Sequence, residues 1–529
     1  MLRSCWGRLL GASLLFAAPI WGASPCLVKT EQGLLRGRSE GGVCRFLGIP
    51  YATPPVGKLR WKAPERPTSW LGERTAYQYG PMCVQTAVSG DSGADIVGQE
   101  DCLTLNIWTP ERTTETGPAP VMVWFHGGYA NWGSSSKRSN GVYRYDGQYL
   151  AEHTGVIIVT LNYRLGPLGF LSLPQLSAET EYHGSGNYGH MDQIAALQWV
   201  QRNIAAFGGD RNRVTIFGHS AGGTSVGTLF LSPRAKGLFS AAIEQSGGFP
   251  FRPRMRMESY GTKLAKALHC DKSASVTACL RSVPAADLLT ALPEGLANGG
   301  AYYKTSVDGY VVTKPWPESV SAGEYNDVPL MIGTTADESA TMLSHFIGTR
   351  LPDSPRDYPE LVTQYFGAFG ISDIVPQVLK QFPATRFGSP AQTLVRLTSE
   401  WDMTCQNRRF IRALAKSPRP PSVFQYYYSH VFHDGPLKTK GAAHGMELPF
   451  IFHVFPNHEA YVPSTEELEL SDLMATYWTQ FAAHRNPSAE GLPAWPAYDR
   501  ERESYLVVDL NPVVQHRLLS DDCDFWDGV

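Results

Sequence analysis

Ser220 stands between two glycines in the run Val214 to Ser225, VTIFGHSAGGTS. Val214 to Phe217 have the β-branched and aromatic character of a buried strand. After Ser220 the residues are small, and Val226, Leu229 and Phe230 then share one helical face. A serine at a tight strand-to-helix turn is presented at the end of a sheet, and Gly218 and Gly222 let helix and strand come close. Serine is a weak nucleophile unless a base takes its proton and N–H donors receive the oxyanion formed on attack. The chain offers candidates for each part. A second glycine loop, His126 to Tyr129 (HGGY), ends an earlier apolar run, so Gly128, Tyr129 and Ala221 are candidate N–H donors. Gly333 to Ser339 (GTTADES) holds two acids, Asp337 and Glu338, and Gly441 to Phe450 (GAAHGMELPF) holds His444 among small residues. The order serine, carboxylate, histidine suits such a hydrolase. Spacing alone does not choose between Asp337 and Glu338, nor single out His444 among 14 histidines.

The elements that would position these groups are legible as short apolar runs alternating with helical patterns. Val121 to Gly128, Gly155 to Arg164, Phe239 to Gly247, Val328 to Ser339 and Ser422 to Phe432 read as strands, several of them apolar throughout, as central parallel strands are. Met191 to Ile204 carries helical spacing, with Ile194, Leu197 and Val200 three apart. The alternation predicts an α/β fold: a large, mostly parallel central sheet with helices on both faces. The 51 glycines and 38 prolines are scattered, which favours one loop-rich domain over 24–529.

Composition excludes several classes. Of 529 residues, 43% are hydrophobic and 18% charged, an ordinary globular balance, and the net charge of −3 offers no basic stripe for nucleic acid. Arg3 and Arg8 accompany an apolar run, Leu9 to Ile20, too short to span a bilayer but suited to a signal peptide over 1–23. No later stretch is long and apolar enough for a membrane segment. Of nine cysteines, Cys5 leaves with the signal, and the even remainder in an exported chain suggests disulfides. Their spacing fits no zinc site, so no metal and no cofactor are expected. The one near-match to a glycosylation acceptor, Asn486-Pro487-Ser488, is blocked by its proline, which leans toward a bacterial envelope within a secreted or periplasmic location.

Longer stretches resemble the type B carboxylesterase/cholinesterase family of α/β-hydrolases. They are FLGIPYATPPVGKLRW (Phe46 to Trp61), EDCLTLNIW (Glu100 to Trp108), LNYRLGPLGFL (Leu161 to Leu171), GNYGHMDQIAALQWVQRNIAAFGGD (Gly186 to Asp210), YWTQFAAHRNP (Tyr477 to Pro487) and WPAYD (Trp495 to Asp499). The resemblance covers nearly the whole chain after the signal. It implies Ser220 as nucleophile, Glu338 as the acid and His444 as the base, with Gly128, Tyr129 and Ala221 as the oxyanion hole. It also implies disulfides Cys83–Cys102, Cys270–Cys279 and Cys405–Cys523, with Cys26–Cys44 left as a fourth pair, and ion pairs Arg60–Glu100 and Arg164–Asp192.

Three positions depart from the family pattern. His219 replaces the usual glutamate before the nucleophile, and Tyr129 replaces a glycine of the oxyanion loop. The segment between Cys83 and Cys102 lacks the aromatic residue that would hold a choline cation, so choline esters are not expected. The expected activity is hydrolysis of small-molecule carboxylic esters through an acyl-enzyme on Ser220, with Trp132, Phe249 and Phe251 helping Tyr129 to line the pocket. A lipase of the same family is the alternative. A non-catalytic, cholinesterase-like binding protein is disfavoured because all three reacting residues are present.

Overall fold

The computed structural model describes residues 26–87, 95–111, 117–139, 141–292, 302–343, 348, 351–455 and 461–529. The expected signal peptide, 1–23, lies outside the described residues. An eleven-stranded sheet runs through the molecule. Its strands are β1 (Arg38–Glu40), β2 (Val43–Pro50), β3 (Thr104–Pro110), β4 (Ala119–Phe125), β5 (Ile157–Leu161) and β6 (Gly209–His219), followed by β7 (Ala241–Gln245), β8 (Leu330–Thr335), β9 (Val423–Tyr428), β10 (Ser504–Val508) and β11 (Val513–His516). Their spatial order is β11-β10-β9-β8-β7-β6-β4-β5-β3-β2-β1. Strands β4 to β10 are mutually parallel. β1 to β3 and β11 add antiparallel edges. The strands read from the sequence are β4 to β9, with β6 read from its second half, Val214 to Phe217.

Both faces of the parallel strands are buried, which explains their unbroken apolar character. Along β4, Val121, Val123 and Phe125 face one core, and Met122 and Trp124 face the other. Helix α1 (Tyr188–Asn203) and helix α2 (Ala221–Leu231) cover the first face through Leu197, Trp199, Val226 and Phe230. On the opposite face lies helix α5 (Thr465–His484), which packs Met474, Trp478 and Phe481 there. Between α2 and α5 in sequence come α3 (Pro390–Ser399) and α4 (Cys405–Leu414), and α6 (Ser520–Gly528) closes the chain.

The four expected disulfides are formed: Cys26–Cys44, Cys83–Cys102, Cys270–Cys279 and Cys405–Cys523. Both expected ion pairs are bidentate. Arg60 meets Glu100 at 2.6 and 2.9 Å, and buried Arg164 meets Asp192 at 2.7 and 2.8 Å. Arg60 Nη1 also donates to the carbonyls of Leu280 and Val283. Glu100, just before Cys102, is thereby tied through Arg60 to the chain just past Cys279.

Candidate active site

Strand order reverses at β4, which has β5 on one side and β6 on the other. In an open parallel sheet a crevice forms outside the C-terminal strand ends at such a point. Phe125 of β4 lies across from Gly218 of β6, so the loops leaving the two strands emerge side by side. One begins with His126 and the other is the turn at Ser220.

Ser220 has φ 60 and ψ −125, a backbone state that a side-chain-bearing residue adopts only when its surroundings impose it. Its N–H donates to the Gln245 carbonyl at 2.9 Å, and its own carbonyl accepts from Thr224 N–H at 2.8 Å. The residue is thus held between β7 and the first turn of α2. A Cβ at Gly222 would lie 1.9 Å from the Phe125 carbonyl oxygen. Only glycine lets α2 start this close to β4.

The loop after β4 is built with similar economy. Gly128 has φ +120, and a Cβ there would fall 1.9 Å from the Trp132 carbonyl oxygen. The Gly128 carbonyl accepts from the N–H groups of Asn131 and Trp132 at 2.9 and 3.0 Å. Tyr129 is left-handed at φ 56, and its carbonyl accepts from Asn131 Nδ2 and Lys304 Nζ at 3.0 and 3.2 Å. Further back, the Tyr163 hydroxyl donates to the His126 carbonyl at 2.7 Å, and the Gln85 amide exchanges two bonds with the Gly133 backbone. Among the described residues, neither Gly128 N–H nor Ala221 N–H donates to another group.

The acid and the histidine come from the ends of β8 and β9. Glu338 is fully buried. Its Oε1 accepts from Thr335 N–H at 2.7 Å, and its Oε2 lies 2.5 Å from His444 Nδ1. Neighbouring Asp337 does something else: it holds the histidine loop. Asp337 N–H donates to the Ala442 carbonyl, and Oδ2 accepts from Ala442 N–H at 3.0 Å. Oδ1 accepts from Arg396 Nε and from Gln392 Nε2 on α3. The adjacent acids, open to either reading in the sequence, thus divide the work of contacting His444 and anchoring its loop. His444 Nε2 is buried and has no hydrogen-bond partner among the described residues.

Ser220, His444, Gly128 and Tyr129 line one cavity of about 170 Å³, together with Trp132, Tyr145, Met342 and Leu448. Trp132 is where the sequence reading expected it. Phe249 and Phe251 are not on this wall, a correction to that reading. Phe249 stacks on Phe410 with centroids 3.7 Å apart and meets Phe251 and Trp316 edge-on or tilted. It fills the space left by Gly227 on α2, where a Cβ would come within 2.6 Å of its ring.

His219 lines the same cavity, its ring centroid 4.2 Å from that of His444. Its Nε2 is 3.7 Å from Glu447 Oε1. Burial, and then the positive charges His444, Arg144 and Lys137 can carry, keep the His219 imidazole well below the usual histidine range. Burial, reinforced by the charge on Glu338, raises Glu447 to about 7. Sequence reasoning missed Glu447, which lies three residues past His444, and the supports Gln85, Asn131 and Lys304. Nothing in their spacing marks them.

Among the described residues, the one group that could offer three metal ligands is Cys26, Cys44 and Glu111, and its two sulfurs are joined in a disulfide. No helix among them is long and apolar enough to cross a membrane.

A parallel sheet with an elbow serine after β6, an N–H loop after β4, and an acid and a histidine after β8 and β9 is the α/β-hydrolase arrangement. The carboxylesterase family model matches residues 24–526. Liver carboxylesterase 1 of Oryctolagus cuniculus is 33% identical, covering 98% of this chain and 96% of its own. The cocaine esterase of Homo sapiens is 35% identical, covering 92% and 87%. Among solved structures, a PNB esterase superimposes with a TM-score of 0.79 at 31% identity, covering 95% of this chain and all of that one. The chain belongs to the carboxylesterase family, the type B serine carboxylic ester hydrolases.

Proposed function

We propose that this protein hydrolyses carboxylic esters through an acyl-enzyme on Ser220, and that it works outside the cytoplasm. The observation that carries the first part is the Glu338–His444 contact of 2.5 Å beside a cavity shared with Ser220. Ionised Glu338 can only accept a hydrogen bond, so His444 carries its proton on Nδ1 and offers the Nε2 lone pair. Nε2 takes the Ser220 proton as Oγ attacks the ester carbonyl. The oxyanion is received by the N–H groups of Gly128, Tyr129 and Ala221. His444 then returns the proton to the leaving alcohol, and water releases the acid by the same steps in reverse order. The strained backbone of Ser220 supports the reading, since such strain concentrates where a side chain must be aimed. Four disulfides support an oxidising compartment, secreted or periplasmic.

The test is turnover of p-nitrophenyl esters of increasing acyl length by the wild type and Ser220→Ala. The wild type is expected to hydrolyse the shorter members, and the variant to lose on the order of 10⁶-fold in kcat. A phosphonate probe should label Ser220 and nothing else. Equal rates in both proteins would overturn the proposal.

A further inference from the structure

Tyr129, Trp132, Tyr145, Met342 and Leu448 form the apolar part of the cavity wall at Ser220, and two further residues of that wall are cations, Lys137 and Arg144. A short hairpin brings them there. Arg138 pairs with Tyr143 and Ser139 with Val142 in antiparallel register. One step outward, Arg144 N–H donates to the Lys137 carbonyl at 3.0 Å. That register sets Lys137 and Arg144 directly opposite each other. Like charges in this relation repel. Burial, and then the charge of Arg144, hold the Lys137 ammonium down at about 8.

The usual remedy is missing. Arg60, Arg164 and Arg408, the buried arginines among the described residues, each meet a carboxylate within 3 Å. Neither Lys137 nor Arg144 has an ion-pair partner among the described residues, and neither side chain donates a hydrogen bond there. What they touch is the aromatic wall: Lys137 Nζ is 4.2 Å from the Trp132 ring centroid, and Arg144 Cζ is 6.0 Å from that of Tyr145. Among the described residues, no aspartate or glutamate lines the cavity. The nearby carboxylates stand behind it, Glu338 against His444, Glu447 beside His219 and Asp402 against the Tyr365 hydroxyl. Two half-buried, opposed cations without a counter-ion raise the energy of the empty site. An anion placed between them removes that repulsion and gains charge-assisted hydrogen bonds.

We infer that the ester substrates of this enzyme carry an anionic group, a carboxylate or one like it, which Lys137 and Arg144 receive while the ester carbonyl lies at Ser220. The inference rests on the ester-hydrolase reading above. It deepens that reading by naming a charge on the substrate and two residues that select for it. The short span between the hairpin and Ser220, both on one cavity of about 170 Å³, limits the spacer between ester and anion to a few bonds.

The test uses two matched pairs. On the acyl side, 4-nitrophenyl hydrogen glutarate is compared with 4-nitrophenyl pentanoate. On the alcohol side, 4-acetoxybenzoate is compared with phenyl acetate. The acyl-side pair shares one leaving group and is compared directly in kcat/KM, because the glutarate carboxylate attacks its own ester in water; on the alcohol side each kcat/KM is divided by the uncatalysed rate of the same ester. In at least one pair the anionic member is expected to lead by about tenfold or more, the size of one charge-assisted hydrogen bond. That ratio should shrink as salt is raised, and should collapse in Lys137→Met/Arg144→Met. Charge reversal in Lys137→Glu should drive it below unity. A ratio at or below one in both pairs, or a ratio that salt and the double variant leave intact, overturns the inference while neutral-ester turnover keeps the esterase reading standing. If the double variant loses neutral esters as well, the salt dependence of the wild-type ratio decides. No turnover of any of the four would sink the esterase reading itself.

Discussion

His219 is the residue whose chemistry most separates this site from the family pattern. A glutamate before the nucleophile would place a carboxylate close to the base. Here an imidazole lies 4.2 Å from the His444 ring instead, and burial keeps it neutral well below the usual histidine range. His444 therefore gains nothing from this neighbour when it becomes imidazolium. His219→Glu would supply an opposite charge at contact range, which favours the imidazolium form of the base. Catalysis needs the neutral base, so the acid limb of the kcat/KM profile should move to higher pH, by about one unit for an opposite charge at this range. An acid limb that stays in place would show that residue 219 is only packing. The residues alone marked Ser220 by its small neighbours, but they could neither single out His444 nor separate Asp337 from Glu338; the family resemblance chose both. The two acids are adjacent, and what divides them is direction: one carboxylate turns to His444 and the other to the Ala442 backbone.

Among the elements, the parallel strands were readable and the sheet edges were not. β4, β5 and β7 to β9 are buried on both faces, so their apolar runs are continuous and need no alternation to be recognised. β2 is broken by Gly48 and ends at Pro50, and β11 is largely exposed, which leaves neither a run nor a period. Helix α4 follows a π-helical turn, Glu400–Thr404, that buries Glu400, so the helical spacing is not continuous from α3 into α4. The elbow was readable because its packing demands are so narrow. A Cβ on Gly222 would sit 1.9 Å from the Phe125 carbonyl oxygen, and that atom belongs to a central strand with no freedom to retreat. Gly222→Ala should push the start of α2 off β4 and misplace both Ser220 and Ala221 N–H. The expected result is a loss of at least about 100-fold in kcat, the order of one oxyanion donor, with a lower melting temperature. Near wild-type kinetics in a folded variant would mean that the elbow tolerates a separation the structure does not show.

Across the whole molecule the disulfides do unequal work. Cys270–Cys279 closes a separation of 9 residues within one local segment. Cys405–Cys523 closes 118 and joins the start of α4 to α6 at the end of the chain. The same two helices are held by charge: Arg408 meets Asp524 at 2.8 Å, Arg409 meets Asp527 at 2.6 Å, and Arg408 also reaches Glu503 at 2.9 Å just before β10. α4 in turn packs Phe410 against Phe249, next to α2, so the clasp is linked through two contacts to the helix that begins at the nucleophile. Loop-closure entropy makes the long bridge worth about 5 kcal/mol and the short one about 2.6 kcal/mol. Because α4 and α6 are also ion-paired and packed around Trp526, removing the long bridge should leave the native state intact and act mainly on the unfolded one. Cys405→Ala/Cys523→Ala is therefore expected to lose about 2 kcal/mol more stability than Cys270→Ala/Cys279→Ala in urea unfolding. Both variants should keep wild-type kcat well below their melting temperatures. Equal losses in the two would mean that residual structure already holds the unfolded chain together. A selective loss of kcat in Cys405→Ala/Cys523→Ala would mean that the clasp positions α2, and with it Ser220, in the native state.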